Sequence, residues 1–197
     1  VYRAVAELFG KKDGYCRGRG GSMHIADFRV GHLGANAIVG GGVPIATGAA
    51  LGLRYLRTGG VVCCFAGDGA YANGVVLESL NFAALHSVPV VFLCANNRYS
   101  VYTPACQRRA AAPARLAESF GICTLVVPIE RSSDVFVLDE LLAGPIEEVR
   151  RLRRPLMVEC HTVRALDHNG VRNDIAAGFR PADEGELFEA HDPLKVA

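Results

Sequence analysis

Residues 61–97 read VVCCFAGDGAYANGVVLESLNFAALHSVPVVFLCANN, and this stretch decides the fold class. VVCCFA (61–66) is short and apolar throughout, which marks a strand buried on both faces, as parallel strands are. Gly67-Asp68-Gly69 then makes a turn, with glycines on either side of Asp68 to let the chain bend sharply. A helix is expected from about Asn73 to His86, and VPVVFLCA (88–95) is a second buried strand ending in Asn96-Asn97. Strand, helix and strand within about 35 residues make a βαβ unit with a right-handed crossover.

Working outward, VPIATGAALGLRYLR (43–57) reads as a closely packed helix with proline near its first turn. CTLVV (123–127) and PLMVECHTV (155–163) read as further strands. FVLDELLAGPIEEVRRLR (136–153) reads as a helix interrupted near Gly144-Pro145, because proline removes a ladder donor. DHNGVRNDIAAGFRP (167–181) is a polar loop, expected to be mobile until a bound ligand orders it, before a short acidic helix. The first forty residues are glycine-rich and suggest ordered loops. Within them, GRGGSMHI (18–25) and NAIVGGGVP (36–44) are places where backbone could approach a ligand closely. The expected architecture is one doubly wound α/β domain over residues 1–197, with a mostly parallel sheet and helices on both faces.

Composition sets outer limits. A 197-residue chain buries roughly 70% of the surface exposed when unfolded. With 21 basic against 20 acidic side chains there is no electrostatic reason to expect nucleic acid or an anionic membrane as partner. No apolar run approaches the length needed to span a bilayer. Seven scattered cysteines without a C-x-x-C pair argue against zinc and favour a reducing compartment. Val1 is not a start residue, and VYRAVAELFGKK reads as the last turns of a helix already under way. The chain therefore reads as an internal piece of a longer one, truncated at both ends, and missing targeting signals say nothing about location.

In doubly wound sheets, ligands sit beyond the carboxyl ends of the strands. Asp68 and Asn97 each stand at such an end, and on neighbouring strands a carboxylate and an amide carbonyl would converge on one point. Amide hydrogens bared at the Gly-Asp-Gly turn suit phosphate. Magnesium prefers oxygen ligands and bridges protein oxygens to phosphates, so Asp68, Asn97 and a carbonyl just beyond could hold it. Taken alone, Gly-Asp-Gly is also a common loop turn, and Asn-Asn another.

The spacing makes the pair specific. Gly-Asp-Gly followed by Asn-Asn, with 29 residues from Asp68 to Asn97, is similar to the thiamine-diphosphate signature. GDGAYANGVVLESLNFAALHSVPVVFLCANNRYSVYT (67–103) resembles the alpha subunits of pyruvate, acetoin and branched-chain 2-oxo acid dehydrogenases, and GRGGSMHI and NAIVGGGVPIATG match two further family segments in order. PLMVECHTVRALDH (155–168) resembles the strand and loop that close over the diphosphate. The resemblance implies that Asp68, Asn97 and the backbone carbonyl of Tyr99 hold Mg2+. It places Gly69 and Ala70 against the diphosphate of the cofactor thiamine diphosphate, with Ala37 and Val39 lining that cofactor. It gives His168 the role of the catalytic loop histidine at the diphosphate and the site entrance; a solvated loop histidine is the plainer reading. His24 belongs either to the site wall or to a polar core, and Glu78 and Asn81, sharing a helix face, suit an interface or packing.

The same resemblance implies oxidative decarboxylation of a small 2-oxo acid, with acyl transfer to a lipoyl group on an acyltransferase. It implies a beta subunit that brings the activating glutamate, in a heterotetramer of two alpha and two beta chains. Bacterial cytoplasm and mitochondrial matrix both remain open. Three departures stand out. The family's upstream Tyr-Arg pair precedes the first residue. Asn169 replaces the serine that often follows the loop histidine, which argues against phosphorylation there. The 167–181 loop is longer than usual, leaving substrate and lipoyl docking undefined. Two other readings stand beside this one. A dinucleotide-binding oxidoreductase would need G-x-G-x-x-G after a strand and an acidic residue about 20 positions on, and GGGVPIATG supplies neither. A non-catalytic remnant acting as a binding module is the other.

Overall fold

A computed structural model describes residues 1–196. The chain packs as two compact units, Val1–Gly42 and Val43–Ala197.

The first unit holds one short helix, α1 (Tyr2–Leu8), and otherwise ordered turns, as the glycine content suggests. Its organising group is Glu7, which is 1% exposed. One carboxylate oxygen accepts the amides of Cys16 (2.7 Å) and Gly18 (2.9 Å), and the other those of Gly20 (2.6 Å) and Gly21 (3.2 Å). Burial pushes the Glu7 carboxyl up, but these four donors outweigh it and hold it below the ordinary carboxylate range. The glycine-rich segment read as open to a ligand thus wraps a side chain of its own. A Cβ on Gly14 would lie 2.6 Å from the Cα of Glu7, and one on Gly18 2.3 Å from the carbonyl carbon of Gly10. Gly18 also has φ +75°, so close approach and backbone conformation both require glycine there. Glu7→Ala should strip all four amides of their acceptor. Amide hydrogen exchange over residues 16–21 is expected to quicken on the order of tenfold or more; unchanged exchange would show that the loop holds itself.

The second unit is built on α2 (Gly42–Leu56), β1 (Val62–Gly67), α3 (Gly74–His86), β2 (Val90–Asn96), a small hairpin of β3 (Tyr99–Ser100) and β4 (Thr103–Pro104), α4 (Pro113–Glu118), β5 (Cys123–Val127), α5 (Ile129–Ser132), α6 (Val135–Leu152), β6 (Leu156–His161), α7 (Asp183–Ala190) and α8 (Pro193–Val196). The main sheet has the order β1-β2-β6-β5, and every pairing in it is parallel. Consecutive strand residues face opposite ways; β2 and β6 are covered on both faces, whereas β1, expected to be buried on both, leaves Cys63 and Phe65 exposed on one. Val62, Cys64, Val90, Phe92 and Met157 meet Ala46 and Ala50 of α2 and Val76, Leu80 and Ala83 of α3. Val91, Val158 and Cys160 meet Leu138, Leu141, Ile146 and Val149 of α6. This is the doubly wound arrangement the apolar strands require.

One expected feature is different. α6 runs unbroken through Gly144-Pro145. Proline costs the ladder bond to the carbonyl four residues back, and its ring crowds the preceding residue. Gly144 has no Cβ to crowd. The apolar stripe of Leu138, Leu141, Leu142, Ile146 and Val149 against the sheet holds the helix together across the lost bond. Glu78 and Asn81 are both exposed on α3. In the first unit His24 is exposed, which removes the polar-core reading for its ring.

Candidate functional site

Parallel register brings the chemistry to one sheet edge. Gly67 pairs with Ala95, and Asn96 with His161. The amide of Asp68 still donates to the carbonyl of Ala95 at 3.2 Å, so Asp68 leaves β1 directly beside the end of β2. Neither Gly67 nor Gly69 takes a positive φ, so the turn does not need them for conformation as expected. A Cβ on Gly69 would meet the Ser100 hydroxyl at 2.9 Å; that glycine is required by the approach of the hairpin. A Cβ on Gly67 would meet nothing within 4 Å. The amides after Asp68 belong to a 3-10 turn, Ala70–Ala72, rather than to a helix start. The first turn of α3 has its own cap, the Asn73 side chain accepting from the amide of Val75.

The two asparagines open the turn that follows β2. Asn96 Oδ1 accepts from the amide of Arg98 and Asn97 Oδ1 from that of Tyr99, each at 3.0 Å. An amide oxygen has a second lone pair, which Asn97 retains for another partner. Across the hairpin, Tyr99 faces Pro104, which has no N–H to give the Tyr99 carbonyl.

Asp68 is 1% exposed, and its charge is met by two residues that the sequence did not single out. Arg108 Nη2 contacts Asp68 Oδ2, and Arg108 Nη1 donates to the Asp68 carbonyl at 3.0 Å. Arg109 Nη2 lies 3.5 Å from the same Oδ2 and 3.3 Å from Asn96 Oδ1. Behind Asn96 stands Glu159, buried in the middle of β6. Its Oε1 accepts from Asn96 Nδ2 at 2.6 Å and its Oε2 from the Ala114 amide in the first turn of α4 at 2.8 Å. His161 Nε2 lies 3.4 Å from Glu159 Oε1, giving the network its outer end. Burial, then the charge of Glu159, pushes the Cys94 thiol up, so Cys94 is a core group and no nucleophile.

The 162–182 segment is firmer than its composition suggested. Asp174 and Arg180 are buried and joined by two bonds of 3.0 and 2.7 Å. Arg180 also donates to Glu184 of α7 at 3.0 Å, and Arg164 donates to Asp174 at 2.5 Å. Arg98 reaches Glu184 at 3.3 Å, and Tyr102 stacks on Phe179 with ring centroids 4.3 Å apart, tying the segment to the turn after β2. These contacts all fall in the second half of the loop. His168 lies in the other half, exposed, with no hydrogen bond or ion pair to any described residue. Asp68, Gly69, Ala70, Asn97 and Tyr99 thus gather at the ends of β1 and β2, and His168 is not joined to them. Ala37 and Val39 lie in the first unit and are exposed.

Among the described residues, the buried side-chain nitrogens without an acceptor are Arg108 Nε, Arg109 Nη1, Arg164 Nε and Arg164 Nη1. All are guanidinium donors, buried without an acceptor of their own.

A family model for the dehydrogenase E1 component matches residues 1–196. The chain is 41% identical over 164 residues to the alpha subunit of acetoin:2,6-dichlorophenolindophenol oxidoreductase from Bacillus subtilis, covering 83% of this chain and 49% of that one. It is 36% identical over 200 residues to the pyruvate dehydrogenase E1 component subunit alpha of Porphyra purpurea, covering 97% of this chain and 56% of that one. The chain thus spans about half the length of these relatives. A transketolase variant from Pichia stipitis superposes with TM-score 0.54 at 19% identity, over 67% of this chain and 21% of that one, a likeness of fold.

Proposed function

Since this chain belongs to the dehydrogenase E1 component family, we propose that it is the cofactor-anchoring part of an alpha subunit that binds Mg2+ and thiamine diphosphate. The reaction class is oxidative decarboxylation of a small 2-oxo acid, of the pyruvate or acetoin dehydrogenase type, with acyl transfer to a lipoyl-bearing acyltransferase. One observation carries the reading. A buried carboxylate, Asp68, and an amide oxygen with a lone pair to spare, Asn97, stand at adjacent strand ends beside buried arginine nitrogens that lack acceptors.

The residues suit the group. Asp68, Asn97 and the Tyr99 carbonyl are hard oxygen donors of the kind magnesium takes. Arg108 and Arg109 both engage Oδ2 of Asp68, so Oδ1 is left to a cation. Gly69 and Ala70 would present backbone to the diphosphate, and Gly67 leaves room above the turn. Ala37, Val39 and His168 keep the parts that the family resemblance implies. When bound, thiamine diphosphate supplies the carbon nucleophile and the electron sink for decarboxylation.

Among the described residues at the strand ends, no carboxylate is free for proton transfer. Asp68 is committed to arginine and metal, and Glu159 to Asn96 and the Ala114 amide. A proton relay to the far end of the cofactor needs a carboxylate tuned for that exchange, which a beta subunit would bring in an assembly of two alpha and two beta chains. We place the protein in a reducing compartment, bacterial cytoplasm or mitochondrial matrix, on its scattered cysteines.

Two measurements test the proposal. Calorimetric titration of the full-length protein should show thiamine diphosphate binding that depends on Mg2+. Turnover of pyruvate or acetoin with an artificial electron acceptor should be absent for the full-length protein alone, on the order of 10²–10⁴-fold below the level reached once a cognate beta subunit is added. Full turnover without the partner would place the catalytic acid within this chain.

A further inference from the structure

We infer that Glu159 is a positioning residue for the metal: through Asn96 it sets the turn that presents the oxygens of Asn97 and Tyr99. This deepens the cofactor reading above and rests on it.

Glu159 is a charged group where an apolar one would be expected. It is 1% exposed, between Val158 and Cys160 in β6, an inner strand of the sheet. A buried carboxylate is costly unless donors meet its oxygens. Oε1 accepts from Asn96 Nδ2 at 2.6 Å and Oε2 from the Ala114 amide at 2.8 Å. Both bonds need an acceptor from this side chain. A carboxylate supplies two, whereas glutamine supplies one acceptor and one donor.

The polarity is passed on. With Nδ2 committed to Glu159, Asn96 turns Oδ1 the other way, where it accepts from the Arg98 amide at 3.0 Å and from Arg109 Nη2 at 3.3 Å. A flipped Asn96 amide would set a donor against both of those donors. Arg98 stands at φ +67°, a left-handed conformation that a residue with a side chain keeps only when its surroundings hold it. Asn96 and Asn97 hold it from both sides by capping the amides of Arg98 and Tyr99. Arg98 is the link between Asn97 and Tyr99, so the orientation of Asn96 decides where their oxygens point. Magnesium demands near-octahedral geometry, and groups that orient its ligands carry roughly 10–100-fold in metal affinity.

The experiment is calorimetric titration of the full-length protein with thiamine diphosphate at several fixed Mg2+ concentrations, which reads affinity and stoichiometry separately. Glu159→Gln should need on the order of tenfold more Mg2+ to reach a given affinity, at full stoichiometry. Asn96→Asp sets a second carboxylate against Glu159 and should weaken binding in the same direction. Joining the two substitutions restores the pattern, because the new amide can donate to the new carboxylate while its oxygen still accepts from Ala114. The double variant should recover most of the affinity, and its comparison with Asn96→Asp carries the test if Glu159→Gln does not fold. In metal-free protein, Glu159→Gln should speed amide exchange at Arg98 and Tyr99 on the order of tenfold and leave β1 and β2 unchanged. Wild-type affinity in Glu159→Gln would overturn the positioning role and leave the cofactor reading standing. So would a lower stoichiometry at unchanged affinity, the mark of a purely structural residue, or a double variant no better than Asn96→Asp. Failure of wild type to bind thiamine diphosphate with Mg2+ would overturn the cofactor reading, and this inference with it.

Discussion

Asp68→Ala is expected to weaken the joint binding of magnesium and thiamine diphosphate on the order of 10²–10³-fold. The loss comes from the cation. A divalent ion at the end of β1 loses its charged ligand, and the neutral oxygens of Asn97 and Tyr99 do not replace a carboxylate beside a diphosphate. Arg108 and Arg109, both nearly buried, also lose the carboxylate they face, which costs folding stability of about 3–5 kcal/mol and not affinity. Asn97→Ala removes a neutral ligand and should cost about tenfold. Glu78→Ala, exposed on α3, should leave affinity alone and touch assembly instead. Calorimetry on the full-length protein decides the matter: wild-type affinity in the Asp68→Ala variant would sink the site assignment.

Arg180→Ala should destabilise the second unit by about 3–5 kcal/mol, the cost of breaking a buried pair from one side. The Arg180 and Asp174 side chains are each 1% exposed, and Glu184 is 7% exposed. The alanine variant leaves two carboxylates facing a hole. Arg164 still reaches Asp174, but its own buried nitrogens already lack acceptors. Urea unfolding should shift to a lower midpoint, and amides of residues 174–184 should exchange faster than those of β1 and β2. An unshifted midpoint with unchanged exchange would show that stacking of Tyr102 on Phe179 holds the segment without the ion pairs.

The same cluster has a pH signature. Hydrogen bonding from Arg180, against the cost of burial and with help from Arg164, holds the Asp174 carboxyl at about 2, below its ordinary 3.8. A carboxylate depressed in the folded state adds stability that is fully present above the ordinary value and lost as pH falls through the folded one. Acid loosening of the 164–184 segment should therefore develop from about pH 4 down to about pH 2, and Arg180→Ala should reduce that dependence to the part Arg164 sustains.

Much of this protein is determined by local pattern. The apolar run VVCCFA, with no polar face, reads as buried on both sides; the structure covers β2 from above and below but leaves Cys63 and Phe65 of β1 exposed on one face. Two such strands with a helix between them bring Asp68 and Asn97 to neighbouring ends, because parallel register follows from the crossover. The helix over Val135–Leu152 was legible except at Pro145, where packing against the sheet outweighs a local preference.

Tertiary structure alone decided the countercharges. Arg108 lies 40 residues from Asp68, Glu159 lies 63 from Asn96, and Glu184 lies 86 from Arg98. Arg108 and Arg109 stand between a hairpin and a run of alanines, and nothing local distinguishes them from solvated surface. Glu159 sits in an apolar run whose period marks a strand but names no partner for a charge within it. The glycines before residue 25 invited a ligand and instead enclose Glu7. Periodicity reports which surface a segment must bury, since burial is a property of each residue. Pairing of buried charges is a property of two residues, and only the folded chain brings the second one to the first.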